Sequence, residues 1–229
     1  MKVSFKSLAL RYEVSFQTPF FRIGYARPAL FESLYRALAQ FGLETADLQG
    51  FGGTSLADQR ARVNLFKGNA NIEITADKVF AHFRNAVGKE DVQLIQDCLK
   101  KLLAAIEAFA TESPLGGEQF VLYPTVEFES EAACTEFLRT LHTPAKAPEF
   151  VEKYKAKIWP SYKVELEDGS AGWRIDVSIS RAWLLPKSLF VAAHADFSSG
   201  ASSTKLDERA TLLAEAVGSV LKSLDLSAQ

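Results

Sequence analysis

The chain has 229 residues, 48% of them hydrophobic and 24% charged, which is ordinary globular composition with material for one large or two small cores. No apolar run approaches the roughly 18 residues that a membrane helix needs. The N-terminal Met1-Lys2-Val3-Ser4-Phe5-Lys6 alternates instead of forming the apolar core of a signal peptide, so the expected location is the cytoplasm. A formal net charge of −2 is too near neutral for bulk attraction to nucleic acid or anionic membrane. That charge is unevenly spread: residues 1–115 carry 14 Lys and Arg against 12 Asp and Glu, residues 116–229 carry 12 against 16.

In chain order, Lys2 to Phe16 reads as a long strand, with Val3, Phe5 and Ser7 on one side and Leu8, Leu10, Tyr12, Val14 and Phe16 on the other. The apolar side changes near Ser7, which predicts a bulge there. Gln17 to Arg27 is an aromatic-rich connection that covers the end of the core or presents a docking segment. Pro28 then opens a helix whose buried stripe is Leu30, Leu34, Leu38 and Phe41 and whose stop is Gly42. Leu43 to Ser55 reads as a loop; its Gly50-Phe51-Gly52-Gly53 lacks the lysine and the following helix of a phosphate-binding loop.

From Arg60 to Arg84 three alternating segments form an antiparallel meander. Val63, Leu65, Ile72, Ile74, Val79, Ala81 and Phe83 fall on one face; Arg60, Arg62, Asn64, Asn71, Glu73, Phe80, His82 and Arg84 fall on the other. A long helix follows from Glu90 with the stripe Val92, Ile95, Leu99, Leu102, Ile106 and Phe109, and acidic Glu90 and Asp91 in its first turn favour the helix dipole. A three-stranded sheet alone is marginal, so this helix is expected to cover it.

Ser113-Pro114-Leu115-Gly116-Gly117 is the clearest breaker and divides the chain into residues 1–115 and 116–229, two parts expected to share one sheet. Beyond it the order of elements begins again. Phe120, Leu122, Val126 and Phe128 mark a strand, Glu131 to Leu141 a helix, and Pro148 to Tyr154, after Thr143-Pro144, a second helical piece. Tyr162 to Glu167, Trp173 to Ile179 and Leu189 to Phe197 are three more strands. The last helix carries Leu206, Ala210, Leu213, Val217, Val220 and Leu224 at spacings of three and four.

Each half is thus strand, helix, three-strand meander, long helix. The expected fold is α+β in two layers, an antiparallel sheet backed by long amphipathic helices and built from two pseudo-repeats. In outline this resembles the duplicated saddle of the TATA-box-binding protein, a resemblance of architecture with no residue motif behind it, and no function is carried over from it.

If the helices cover one sheet face, alternation writes the other. To the first-half residues the second half adds Tyr123, Thr125, Glu127, Glu129, Lys163, Glu165, Arg174, Asp176, Ser178, Phe190, His194 and Asp196. A solvated face is the plain reading. A binding face is the sharper one, because Phe80 and Phe190 stand among charges that are mostly basic in one half and acidic in the other. Its candidate residues are Arg60, Arg62, Glu73, Phe80, His82, Arg84, Glu127, Glu165, Arg174, Asp176, His194 and Asp196.

His82 and His194 fall at equivalent places in the two halves, and with Asp196 they suggest a metal or acid/base site. Histidines on separate strands need not meet, and a catalytic metal usually takes three protein ligands, so no metal, cofactor or catalytic residue is expected. Cys98 and Cys134 lie in predicted helices without CxxC spacing and read as buried apolar side chains. No serine sits in a nucleophile-elbow pattern.

The expected function is therefore a non-enzymatic interaction module, a subunit or adaptor that engages another protein or a second copy through its charged face. A small-ligand protein or enzyme with a pocket between sheet and helices is the alternative. A nucleic-acid-binding saddle ranks last, since the acidic second half supplies no basic stripe.

Overall fold

A computed structural model describes residues 2–86, 88–141, 162–182 and 184–228. The helical piece expected around Pro148 to Tyr154 lies outside the described residues. The alternating segments all form strands, and Leu48–Phe51 adds one the alternation does not mark: β1 (Lys2–Phe16), β2 (Leu48–Phe51), β3 (Arg60–Leu65), β4 (Ala70–Ile74), β5 (Lys78–Ala86), β6 (Leu115–Glu127), β7 (Tyr162–Asp168), β8 (Trp173–Arg181) and β9 (Ser188–Phe197). They pair antiparallel in the order β2-β3-β4-β5-β1-β6-β9-β8-β7. The protein is α+β, and the long strands β1 and β6 join its two ends into one sheet. A two-residue strand β10 (Ser227–Ala228) adds parallel to the start of β1.

The bulge expected near Ser7 is present. Register between β1 and β6 shifts between Phe5 and Ser7, so Val3 and Phe5 before it and Leu8 and Leu10 after it share one side of the sheet.

The helices are α1 (Arg22–Tyr25), α2 (Arg27–Leu38), α3 (Lys89–Phe109), α4 (Glu131–Leu141) and α5 (Leu206–Ser223). Among the described residues no helix is long and apolar enough to cross a membrane. In α2, Leu30, Leu34 and Leu38 are fully buried; Gly42 follows a short 3-10 turn at φ 79°, a left-handed conformation that glycine adopts without steric cost. In α3, Ile95, Leu99, Leu102 and Ile106 are buried as their spacing predicts, with Cys98 and Leu103 beside them. α3 packs on α2, β5 and α5, and α5 packs on β8 and β9. Their stripes join Tyr12, Val63, Ile72, Val79, Ile175, Val177 and Val191 in one core cluster.

Three expectations are corrected. Leu43 to Ser55 is more than a loop: Leu48–Phe51 is an edge strand paired to β3, so the first half has four strands after its helices. The segment has only four residues, includes Gly50 and pairs on one edge, leaving Gln49, Gly50 and Phe51 exposed with little apolar alternation to read. Glu129 is not on the sheet, because β6 ends at Glu127 and Glu129 is exposed in the link to α4. β6 itself starts at Leu115, inside the predicted breaker, because Leu115 pairs with Phe16; Gly116 and Gly117 fall at a register shift between β1 and β6, where an added Cβ would meet Ser15 or the Phe197 carbonyl at 3.0 to 3.1 Å.

Candidate functional site

Register converts the alternation of each strand into rows that cross the open face. One row reads Gln49, Arg62, Glu73, Phe80, Glu13, Gln119, Asp196, Arg174 and Glu167 from β2 to β7. The next reads Asn64, Asn71, His82, Arg11, Val121, His194, Asp176 and Glu165 from β3 to β7. Farther along the central strands, Ala9 pairs with Tyr123, and Ser7, Thr125, Phe190 and Ser180 form a short row.

The predicted residues gather into clusters within these rows. Toward one end, Arg62 Nη2 lies 3.0 Å from Glu73 Oε2 and Arg60 Nη1 lies 3.7 Å from Glu73 Oε1, while the Arg62 guanidinium sits 5.0 Å from the Phe51 ring centre. Toward the other end, Arg174 meets Asp176 at 3.2 Å and Glu165 at 3.5 Å, and Lys163 donates to Glu165 at 2.6 Å. Glu127, at the end of β6, accepts from Lys6 and Lys187 at 3.0 Å each. Those two bonds, Lys187 first, hold its carboxyl below the usual range.

The middle of the face is aromatic. Phe80 lies under the Arg11 guanidinium, 5.2 Å from its ring centre, and 6.4 Å from His82. Tyr123 stacks on Phe190 at 5.6 Å with an interplanar angle of 23° and meets His194 edge-on at 6.3 Å. Phe190 is 39% exposed.

His82 and His194 do share a row, but Arg11 and Val121 stand between them, so three strand spacings of about 4.8 Å put them roughly 14 Å apart. Asp196 is held by Gln119 Nε2 at 2.7 Å, and His194 leans on Tyr123. Among the described residues no group of three His, Cys, Asp or Glu side chains could hold a metal ion. Cys98 and Cys134 are free and buried, and burial pushes the Cys98 thiol up to about 12, which leaves it inert as a nucleophile.

The two loops of interest have structural roles. A Cβ on Gly50 or Gly52 would meet the Arg27 side chain or its partner Gln59 at 3.0 Å, so the glycines make room for the Arg27 side chain beside them. In the aromatic connection Phe20 and Ile23 are fully buried, while Phe21 and Tyr25 are 59% and 74% exposed. The segment therefore covers the core with one side and meets solvent with the other.

Two sets of residues escaped the sequence reading. Arg11, Glu13, Gln119 and Val121 belong to the open face, and the signal was present, since Leu10, Tyr12 and Val14 on one side of β1 imply Arg11 and Glu13 on the other. Beneath the sheet, buried Glu118 accepts from Arg209 and from the Tyr12 hydroxyl. Arg209 also donates to Ser199 Oγ at 2.6 Å and lies 4.9 Å from the Phe197 ring centre. Burial raises the Tyr12 pKa, so the hydroxyl keeps its proton as donor, and burial lowers that of Arg209. Glu118 shares the parity of Phe120, and Arg209 falls between Leu206 and Leu213 on the α5 stripe: two opposite charges at core positions.

No family model matches this chain, and no curated protein matches it. Among solved structures it is similar to Methanococcus jannaschii TBP, with 12% identity over 98% of this chain and 99% of that chain, at a TM-score of 0.33. At that score the likeness carries no argument about what this chain does.

Proposed function

We propose that this chain is a non-catalytic interaction module, a subunit or adaptor in the cytoplasm, that docks another protein or a second copy of itself on the open face of its sheet. The observation that carries this reading is a nine-strand face that no helix among the described residues covers, with aromatic groups at its centre and ion pairs toward both ends. Aromatic residues and Arg are the types enriched in protein interfaces, and the Tyr123–Phe190 stack offers rigid apolar area at low entropic cost. The chain is further read as two pseudo-repeats, 1–115 and 116–229, related across the β1–β6 pair, which places His82 and His194 at equivalent positions.

An open depression of about 570 Å³ at one end of the central strands, with Trp173, Gln119 and Asp196 in its wall, favours a small ligand as the second reading. Light scattering on the tagged chain recovered from its native host tests the first. A mass above 25.2 kDa that is lost with Phe80→Asp or Arg62→Glu is the expected result. An assembly indifferent to both substitutions would remove the open face from consideration.

A further inference from the structure

We infer that the patch formed by Arg11, His82 and Arg84 takes an extended acidic segment of the partner protein, a step that rests on the interaction-module reading and names the chemistry of its partner. On this face Arg60, Arg62, Lys78, Lys163 and Arg174 each lie within 3.7 Å of a carboxylate. Arg11 and Arg84 are both exposed, and among the described residues neither has a carboxylate partner. Arg11 instead rests on the Phe80 ring.

The two guanidinium groups flank one imidazole, since Arg11 is the register partner of His82 and Arg84 is two residues beyond it on β5. Burial, and then repulsion from Arg84 and Arg11, lower the His82 pKa, which marks uncompensated positive charge on the patch. Local backbone shape adds to its reach. Between the pairs Leu8–Ala86 and Leu10–Phe83, Ala9 faces both Arg84 and Asn85, and Asn85 has φ 57°, so β5 carries one extra residue there. The small side chain of Ala9 then leaves a shallow path from Arg84 to its own register partner Tyr123, and so to the Tyr123–Phe190 stack.

An extended chain laid on that path sets carboxylates over Arg11 and Arg84 and an apolar side chain on the stack. The patch spans about two strands, roughly 10 Å, room for two or three carboxylates. A nucleic acid fits it less well. Its phosphates continue past the patch, where Glu13 and Glu73 stand on one side and Asp176 and Asp196 on the other, and each would meet a like charge.

The test is selection of a displayed random-peptide library on the immobilised full chain, followed by binding of the enriched peptides to wild type, to Arg11→Glu with Arg84→Glu, and to the milder Arg11→Gln with Arg84→Gln. Peptides joining Asp or Glu to an aromatic or aliphatic residue should be enriched, should weaken with salt, and should lose about tenfold or more in affinity on both double variants. The inference is overturned if nothing is enriched, if the enriched peptides carry no acidic consensus, or if they bind both variants as they bind wild type. It is equally overturned if a DNA duplex binds more tightly with the same arginine dependence. If it fails while Phe80→Asp still dissolves the native assembly, the interaction-module reading stands without it; if Phe80→Asp also has no effect, both fall.

Discussion

Glu118 and Arg209 meet beneath the sheet with side chains 0% and 6% exposed, whereas Arg62 and Glu73 meet above it at 35% and 23%. Both are carboxylate–guanidinium pairs, the first joining β6 to α5 and the second joining β3 to β4, yet they do different work. The lower pair is sealed from water, so each charge is tolerable only because the other, with Tyr12 and Ser199, satisfies it. The upper pair is only partly buried, so it can be exchanged for a partner's charges at lower cost than the sealed one. The covered face is therefore where charge holds the fold, and on the proposed reading the open face is where charge would serve recognition.

Removing one buried charge breaks that contrast most strongly. Glu118→Leu leaves Arg209 buried and unpaired and should cost about 3–5 kcal/mol in denaturant unfolding, while combining it with Arg209→Met should restore most of the loss. Truncating the apolar side of the same sheet comes next: Ile72→Ala should cost about 2–5 kcal/mol by leaving a cavity among fully buried neighbours. By contrast, Arg62→Gln should change stability by less than about 1 kcal/mol. Phe190→Asp should likewise cost about 1 kcal/mol at most, the worth of its stack on Tyr123, while removing association.

The smallest effect is in pH dependence. The folded-state pKa of His82 lies below its ordinary value of 6.5, chiefly through burial and then through Arg84 and Arg11. As pH falls through 6.5, the unfolded chain takes up that proton first, so the folded state loses stability until the lower folded-state pKa is reached. His82→Gln should flatten this slope, gaining on wild type below pH 6.5 and not above it, as urea midpoints on either side would register.

Most of the fold was legible because the chain obeys its periods. Strict alternation in Arg60–Leu65, Ala70–Ile74 and Trp173–Arg181 and the stripes of α3 and α5 each match one strand or helix. β2 was not legible, since four residues with a glycine carry no period. The open-face candidates were legible one strand at a time, through parity alone. Their neighbours were not, because parity places Phe80 and Phe190 on a face without saying that Arg11 covers one and Tyr123 stacks on the other.

By itself, then, the sequence determined which residues face the core and which face away, because burial of apolar surface imposes a period of two on strands and 3.6 on helices whatever their partners. Only the tertiary structure decided strand order, register and helix placement; α5 packed under the sheet brings Arg209 to Glu118, and the register separates His82 from His194. The physical reason is that pairing joins residues far apart in the chain, such as Ser4 with Glu127 and Lys2 with Ser227. The alternation of either strand is equally compatible with many neighbours, until the helices and the long β1–β6 pair select one.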